Sequence, residues 1–266
     1  MTSLSKAKIR FSGSLHEEEV NVDVVNATIE LKGKSYDLGQ LSLTSPVSGT
    51  IYGTLLNYKG ALKALENEVN EPPYNQPPNA PILYIKPVNT INGYNVPIPL
   101  PSDVAELEVG AALGIVIGRT ATRVSEEQAL DYVAGYTVVN DVTVPHSSFF
   151  RPAISQKARD GFCPVGPWVI ERDAIENPDA LELRVYINGE LRQENTTANL
   201  IRPVKKLIAE VTEFMTLTAG DTLLVGVPEG APLVKSGDHV CIKIEGVGAL
   251  ENRVVHEHEL VAGGAK

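Results

Sequence analysis

Asp141 and Lys157 are the side chains in this sequence with the clearest chemical promise. Asp141 follows Asn140 in an otherwise apolar run, 137–144, that reads as a strand. A carboxylate there is costly unless it is paired or ligates a cation. A structural aspartate accepting backbone hydrogen bonds is an equally good reading. Lys157 shares the segment 155–168 with Arg159 and Asp160, and Gly161, Pro164, Gly166 and Pro167 stiffen it. Such a loop can aim a lysine at an anionic substrate, although a solvated loop has the same spacing. The run Gly226-Val227-Pro228-Glu229-Gly230 is a tight turn after an apolar strand, a place where backbone approaches ligands. His256 and His258 are two apart and share a strand face, but a metal needs a third ligand, so exposed tail residues are expected. Cys163 and Cys241 form no C-x-x-C pair, which leaves a zinc ribbon and a dithiol site unsupported. There is no G-x-S-x-G elbow, Walker loop or Rossmann fingerprint.

The elements that must position these groups are mostly strands. Gly (22) and Pro (18) make the chain rich in turns, which favours many short strands over a helical bundle. Residues 1–48 read as a small β-rich appendage, with Val20, Val22 and Val24 alternating, and 49–266 as the main domain. Strands are expected at 51–56, 82–85, 111–117, 137–144 and 222–225, and a hairpin at Asn188-Gly189. Helices are expected at 61–69, at 125–134 behind a Ser125/Gln128 capping box, and at 200–214, with Pro203 in its first turn. Four prolines make 71–80 a loop. The fold class is therefore mainly β with a few helices, α+β.

The charge balance narrows the partners. With 23 Lys+Arg against 33 Asp+Glu, the 266-residue chain carries a formal net charge of −10. That sign disfavours nucleic acid and anionic membranes as partners. No apolar run reaches membrane-spanning length and no signal peptide is evident, so a reduced, cytoplasmic protein is expected. Attraction of a small anion must be local, from Lys86, Arg151, Lys157, Arg159 or Arg192.

Taken together, these segments resemble the fumarylacetoacetate hydrolase family over residues 50–258. The resemblance rests on Leu56-Asn57-Tyr58, Ile85-Lys86-Pro87, Val116-Ile117-Gly118, Val124-Ser125-Glu126-Glu127, Tyr132 to Thr137, Asn140-Asp141, Asp160-Gly161 through Trp168, Asn188 to Gln193, and Glu213 to Leu217. Residues 149–152 with 157–164 look most like the isomerase/decarboxylase branch of 4-hydroxyphenylacetate breakdown, in particular its N-terminal half or separate N-terminal subunit. The resemblance implies a mixed β-roll and chemistry on enolisable keto acids. In the family a Mg²⁺ or Mn²⁺ ion stabilises the charge that develops on oxygen. It implies catalytic roles for Lys157 and Asp141, with Asp141 as proton carrier, and substrate contacts from Asn57, Tyr58, Lys86, Arg151, Arg192, Gln193 and the Gly226 turn. The family's other two metal ligands fall on Gly110 and Ala112, which leaves Asp141 alone in an incomplete set. Glu106 and Glu108 come four residues too early to replace them. A family His/Glu pair falls on Ala61 and Ala64, the family's Arg-Asp on Pro145-His146, and a turn threonine on Val227. The expected activity is an isomerase/decarboxylase of keto-dicarboxylates or tricarboxylates, with little or no metal. The alternative is a weakly active or inactive subunit completing a homodimer or a hetero-oligomer with a metal-binding sister; a keto-acid binding protein is a third class.

Overall fold

In the computed structural model the described residues are 4–72, 75–146 and 153–263, with side chains described through 260. Among them the molecule is mainly β with a few short helices, as its turn-rich sequence implies. One large sheet runs in the order Lys34–Asp37, Thr28–Leu31, Glu18–Asp23, Ser5–Phe11, Cys163–Glu171, Val133–Asn140, Ala111–Ile117, Thr222–Leu224, Ile51–Leu55, Ile82–Lys86. The N-terminal strands join it through Ser5–Phe11, which pairs antiparallel with Cys163–Glu171, and Ala7, Ile9, Val22 and Ile29 enter the main core.

The sheet is curled. Val133–Asn140 and Ile82–Lys86 are four strand steps apart, which in a flat sheet is about 19 Å. Yet Lys86 Nζ lies 2.9 Å from Asp141 Oδ1. Ile91–Asn92, just beyond Lys86, pairs parallel with Cys163–Glu171 and draws the far edge back. Within this roll lies a small apolar cluster of Val47, Ile51, Ala112, Val116, Val139, Cys163, Val165, Val169 and Leu224. The larger core lies outside it. There Trp168, Tyr136 and Leu113 pack with a five-stranded sheet, Glu190–Thr196, Glu182–Ile187, His239–Ile244, Gly248–His256 and Ile98–Leu100, and with the Val204–Phe214 helix.

Several boundaries differ from the sequence reading. The run after Ser125 is a 3-10 turn series, Glu126–Tyr132, and the Ser125 side chain makes no cap hydrogen bond. The long helix begins at Val204 rather than at 200, because the residue before a proline is driven out of the α region. Its first N–H is capped from far away: Val204 N donates to Asp179 Oδ1 at 2.7 Å. The expected 61–69 helix is two pieces, Lys59–Ala64 and Glu66–Val69. The Asp141 strand ends at Asn140, so Asp141 sits just past the strand and not inside it. Val142 and Thr143 then bond to Phe162 and Glu108. His256 ends a strand and His258 lies in the Glu257–Gly263 helix, their rings stacked 5.2 Å apart. Among the described residues no helix is long and apolar enough to cross a membrane.

Candidate active site

Asp141 is the centre of a buried charge cluster at the end of the roll. Asp141 is 1% exposed. Its Oδ2 accepts from Lys157 Nζ at 2.8 Å and from the Tyr84 hydroxyl. Its Oδ1 meets Lys86 Nζ as an ion pair at 2.9 Å, without an aligned hydrogen bond. Lys86 aims its N–H groups at backbone instead, at Lys157 O (2.7 Å) and Val142 O (3.2 Å). It thereby ties together the two segments that carry Lys157 and Asp141.

Two lysines and one aspartate differ sharply in access. The side chains of Lys86 and Asp141 are sealed from solvent, whereas that of Lys157 keeps 13% exposure. Lys157 Nζ also lies 4.8 Å from the centre of the Tyr84 ring, a cation–π contact that fixes its direction. The Tyr84 ring in turn lies across Gly53, where any Cβ would collide with it.

The electrostatics follow from this packing. Burial pushes the Asp141 carboxyl up, but the Lys157 and Lys86 ammoniums outweigh it and hold it well below the usual carboxylate range. Asp141 is thus held as the anion between the two lysines. Burial, then the Asp141 charge, push the Tyr84 hydroxyl well up, so it stays a donor. The Cys163 thiol is pushed up to about 12, first by burial, and is an inert neighbour. Burial raises the half-buried Glu108, with Lys157 opposing and Asp141 reinforcing. His146 is lowered by burial and then by Lys157.

The arrangement does not fit a divalent ion. Gly110, where the family resemblance puts a ligand, lies against Asp141, whose N donates to Gly110 O at 2.7 Å. A Cβ on Gly110 would stand 2.2 Å from Asp141 O. Ala112 is buried in the inner apolar cluster. Among the described residues no three His, Cys, Asp or Glu side chains converge to hold a metal. Both oxygens of Asp141 already face ammonium groups, and hard cations want several oxygens.

The other expected site residues scatter. Asn57 is fully occupied by backbone: its Nδ2 donates to Val225 O and Arg202 O, and Arg202 N donates to its Oδ1. It pins two loops, including the one that leads to Gly226. Gly226 has φ +115 and packs against Thr54 O, so the turn lies against the strand that also carries Gly53. Tyr58 is fully buried beside that turn, and burial, then Glu229, push its hydroxyl well up. Gln193 Nε2 donates to Glu229 O at 2.7 Å and Pro228 O at 3.3 Å. Arg192 points outward and pairs with Glu190 at 2.8 Å, and Arg159 pairs with Asp103. Arg151 lies outside the described residues. Tyr84 escaped the sequence reading, although in a strand it shares a face with Lys86 two residues on, which is the signal that finds it.

Comparison with known proteins bears on the family and the fold. The fumarylacetoacetate (FAA) hydrolase C-terminal family matches residues 50–255. The chain is 41% identical over 214 residues to the 4-hydroxyphenylacetate degradation bifunctional isomerase/decarboxylase of Escherichia coli, covering 80% of this chain and 49% of that protein. It thus spans about half the length of the curated relatives it matches first. The crystal structure of 2-hydroxyhepta-2,4-diene-1,7-dioate isomerase from Mycobacterium marinum superposes with a TM-score of 0.77 at 30% identity, covering 96% of this chain and 99% of that one. A maleylpyruvate hydrolase from Sphingobium sp. SYK-6, solved with manganese(II) and pyruvate, has a TM-score of 0.73 at 26% identity, covering 94% and 99%.

Proposed function

The chain belongs to the fumarylacetoacetate hydrolase family, and from that premise we propose that it isomerises or decarboxylates enolisable keto-dicarboxylates or tricarboxylates in the cytoplasm. A 2-hydroxyhepta-2,4-diene-1,7-dioate is the substrate type that its relatives' names support. The observation that carries this reading is the Asp141 cluster, in which one ammonium, Lys157, retains access to solvent.

When such a substrate tautomerises, negative charge grows on the oxygen next to its carboxylate. Lys157 is placed to meet that charge. Its direction is set by Asp141 and the Tyr84 ring, so little reorganisation is needed as charge develops. Lys86 is the buried support: it neutralises the second oxygen of Asp141 and holds the backbone of Lys157. The family's ion has no ligand set here, so the step is assigned to the ammonium alone.

Gly110 and Ala112, which cannot ligate a metal, also favour a second reading, in which this chain is a weakly active partner of a metal-binding sister domain or subunit. One assay separates the two. Purified chain is mixed with 2-hydroxyhepta-2,4-diene-1,7-dioate and loss of diene absorbance is followed. The enzyme reading predicts conversion well above the uncatalysed rate, reduced about 10²–10³-fold in Lys157→Met, as for removal of a main charge-stabilising donor. Conversion no faster than buffer would leave only the partner reading.

A further inference from the structure

A second polar cluster lies around the Gly226 turn, and it differs from the first in that its carboxylate faces no ammonium group among the described residues. Glu229 Oε1 accepts from Asn195 Nδ2 at 3.1 Å. Glu229 Oε2 is buried and has no hydrogen-bond partner among the described residues. The same holds for the Tyr58 hydroxyl and for Gln193 Oε1, on side chains that are 0% and 7% exposed. Gln193 clamps the Glu229 backbone through its other amide atom, so these groups belong to one site. The carboxylate lies directly over Gly60, within the space that any larger residue would fill with its Cβ. Buried polar atoms without partners are rare and costly in folded proteins, and each calls for a water, an ion, a ligand or a catalytic role. The cluster adjoins the first one through a single strand: Gly226 packs on Thr54, and Tyr84 of the Asp141 cluster lies on Gly53.

We infer that Glu229 is the proton carrier of the reaction, with Gln193 holding its backbone, Asn195 holding one carboxylate oxygen and the Tyr58 hydroxyl left free for the substrate; this rests on the keto-acid reading above. Both oxygens of Asp141 are already held, one by Lys157 and Tyr84 and the other by Lys86, and Lys157 is committed to the substrate oxygen. In the isomerisation, the enol O–H proton leaves to solvent and its electron pair becomes the C=O π bond beside the substrate carboxylate. The enol C=C pair moves one bond along, and the pair of the distal double bond takes a proton from the Glu229 carboxyl at the γ-carbon. The carboxylate regains its proton from water, and nothing is oxidised or reduced. In reverse, the carboxylate removes the γ-proton.

The test is the reaction run in D₂O and followed by NMR. The wild type is expected to place one deuterium at the γ-carbon with a single handedness. Glu229→Gln keeps the Oε1 contact with Asn195 and the backbone clamp. It is expected to lose about 10²–10⁴-fold in kcat with KM little changed, and its residual product should carry deuterium of both hands. Tyr58→Phe removes a hydroxyl without a protein partner, and is expected to slow the step roughly tenfold with thermal stability unchanged. A Glu229→Gln enzyme with wild-type rate and single-handed labelling overturns the inference while leaving the isomerase intact. A wild type that converts nothing overturns both. A purely structural Glu229 would lower the melting temperature and leave the handedness of labelling untouched.

Discussion

The two polar corners of the roll solve opposite problems. Around Asp141 every charge is answered: one carboxylate faces two ammonium groups and a phenol, and the lysine beneath it finds two carbonyls. Around Glu229 three buried oxygens have no hydrogen-bond partner among the described residues. The first corner is built as a fixed charge, and a fixed charge stabilises a transition state without moving. The second leaves acceptors and a donor in reserve, which a proton carrier needs. At Asp141 the chain has a cluster of ion pairs, and at the Gly226 turn a carboxylate with one oxygen unpaired among the described residues.

Removing the centre of the saturated corner is expected to have the largest effect. Asp141→Asn leaves two lysines adjacent and unpaired, at a cost of about 3–5 kcal/mol in denaturant unfolding. A loss under 1 kcal/mol would show that the cluster is less dry or less coupled than its geometry implies. The same contrast appears in pH. Because the folded-state pKa of Asp141 is depressed, its stabilisation is present above the unfolded value near 4 and is lost as pH falls through the folded value. Urea midpoints are therefore expected to fall steeply from about pH 4 downward in the wild type, and less steeply in Asp141→Asn. The smallest effects come from paired hydroxyl deletions, which set the corners side by side. Tyr84→Phe takes a donor from a buried carboxylate and is expected to cost about 1.5–3 kcal/mol. Tyr58→Phe takes a hydroxyl with no protein partner and is expected to stay within about 0.5 kcal/mol of wild type by thermal melting.

Much of the first corner was legible in the sequence. Asp141 stood out as a carboxylate inside an apolar run, and Lys157 as a cation on a stiffened loop. By the family resemblance the glycine and alanine at 110 and 112 fall where its other two metal ligands stand, and the structure places Gly110 against Asp141. Lys86 was legible as a residue but not in its role, because its ion pair forms only when the sheet curls across four strand steps. The Glu229 corner was hidden for a similar reason. Its turn was visible as a place where backbone approaches a ligand, but the carboxylate's seat depends on Gly60 and its partners on Gln193 and Asn195, all distant in sequence. Helix starts failed where local signals competed with remote ones, as with Asp179 capping Val204 in place of a neighbouring side chain.

The central claim is that the Lys157 ammonium, held by Asp141, does what a divalent ion does elsewhere in the family. Its most direct test is the rate of 2-hydroxyhepta-2,4-diene-1,7-dioate conversion by chelator-treated enzyme, titrated with Mg²⁺ and Mn²⁺, in the wild type and in Lys157→Met. The account predicts a wild-type rate that neither chelator nor added metal changes, and a Lys157→Met rate that metal does not restore. A wild type that is silent after chelation and revived by Mg²⁺ or Mn²⁺, with Lys157→Met equally revived, would contradict it.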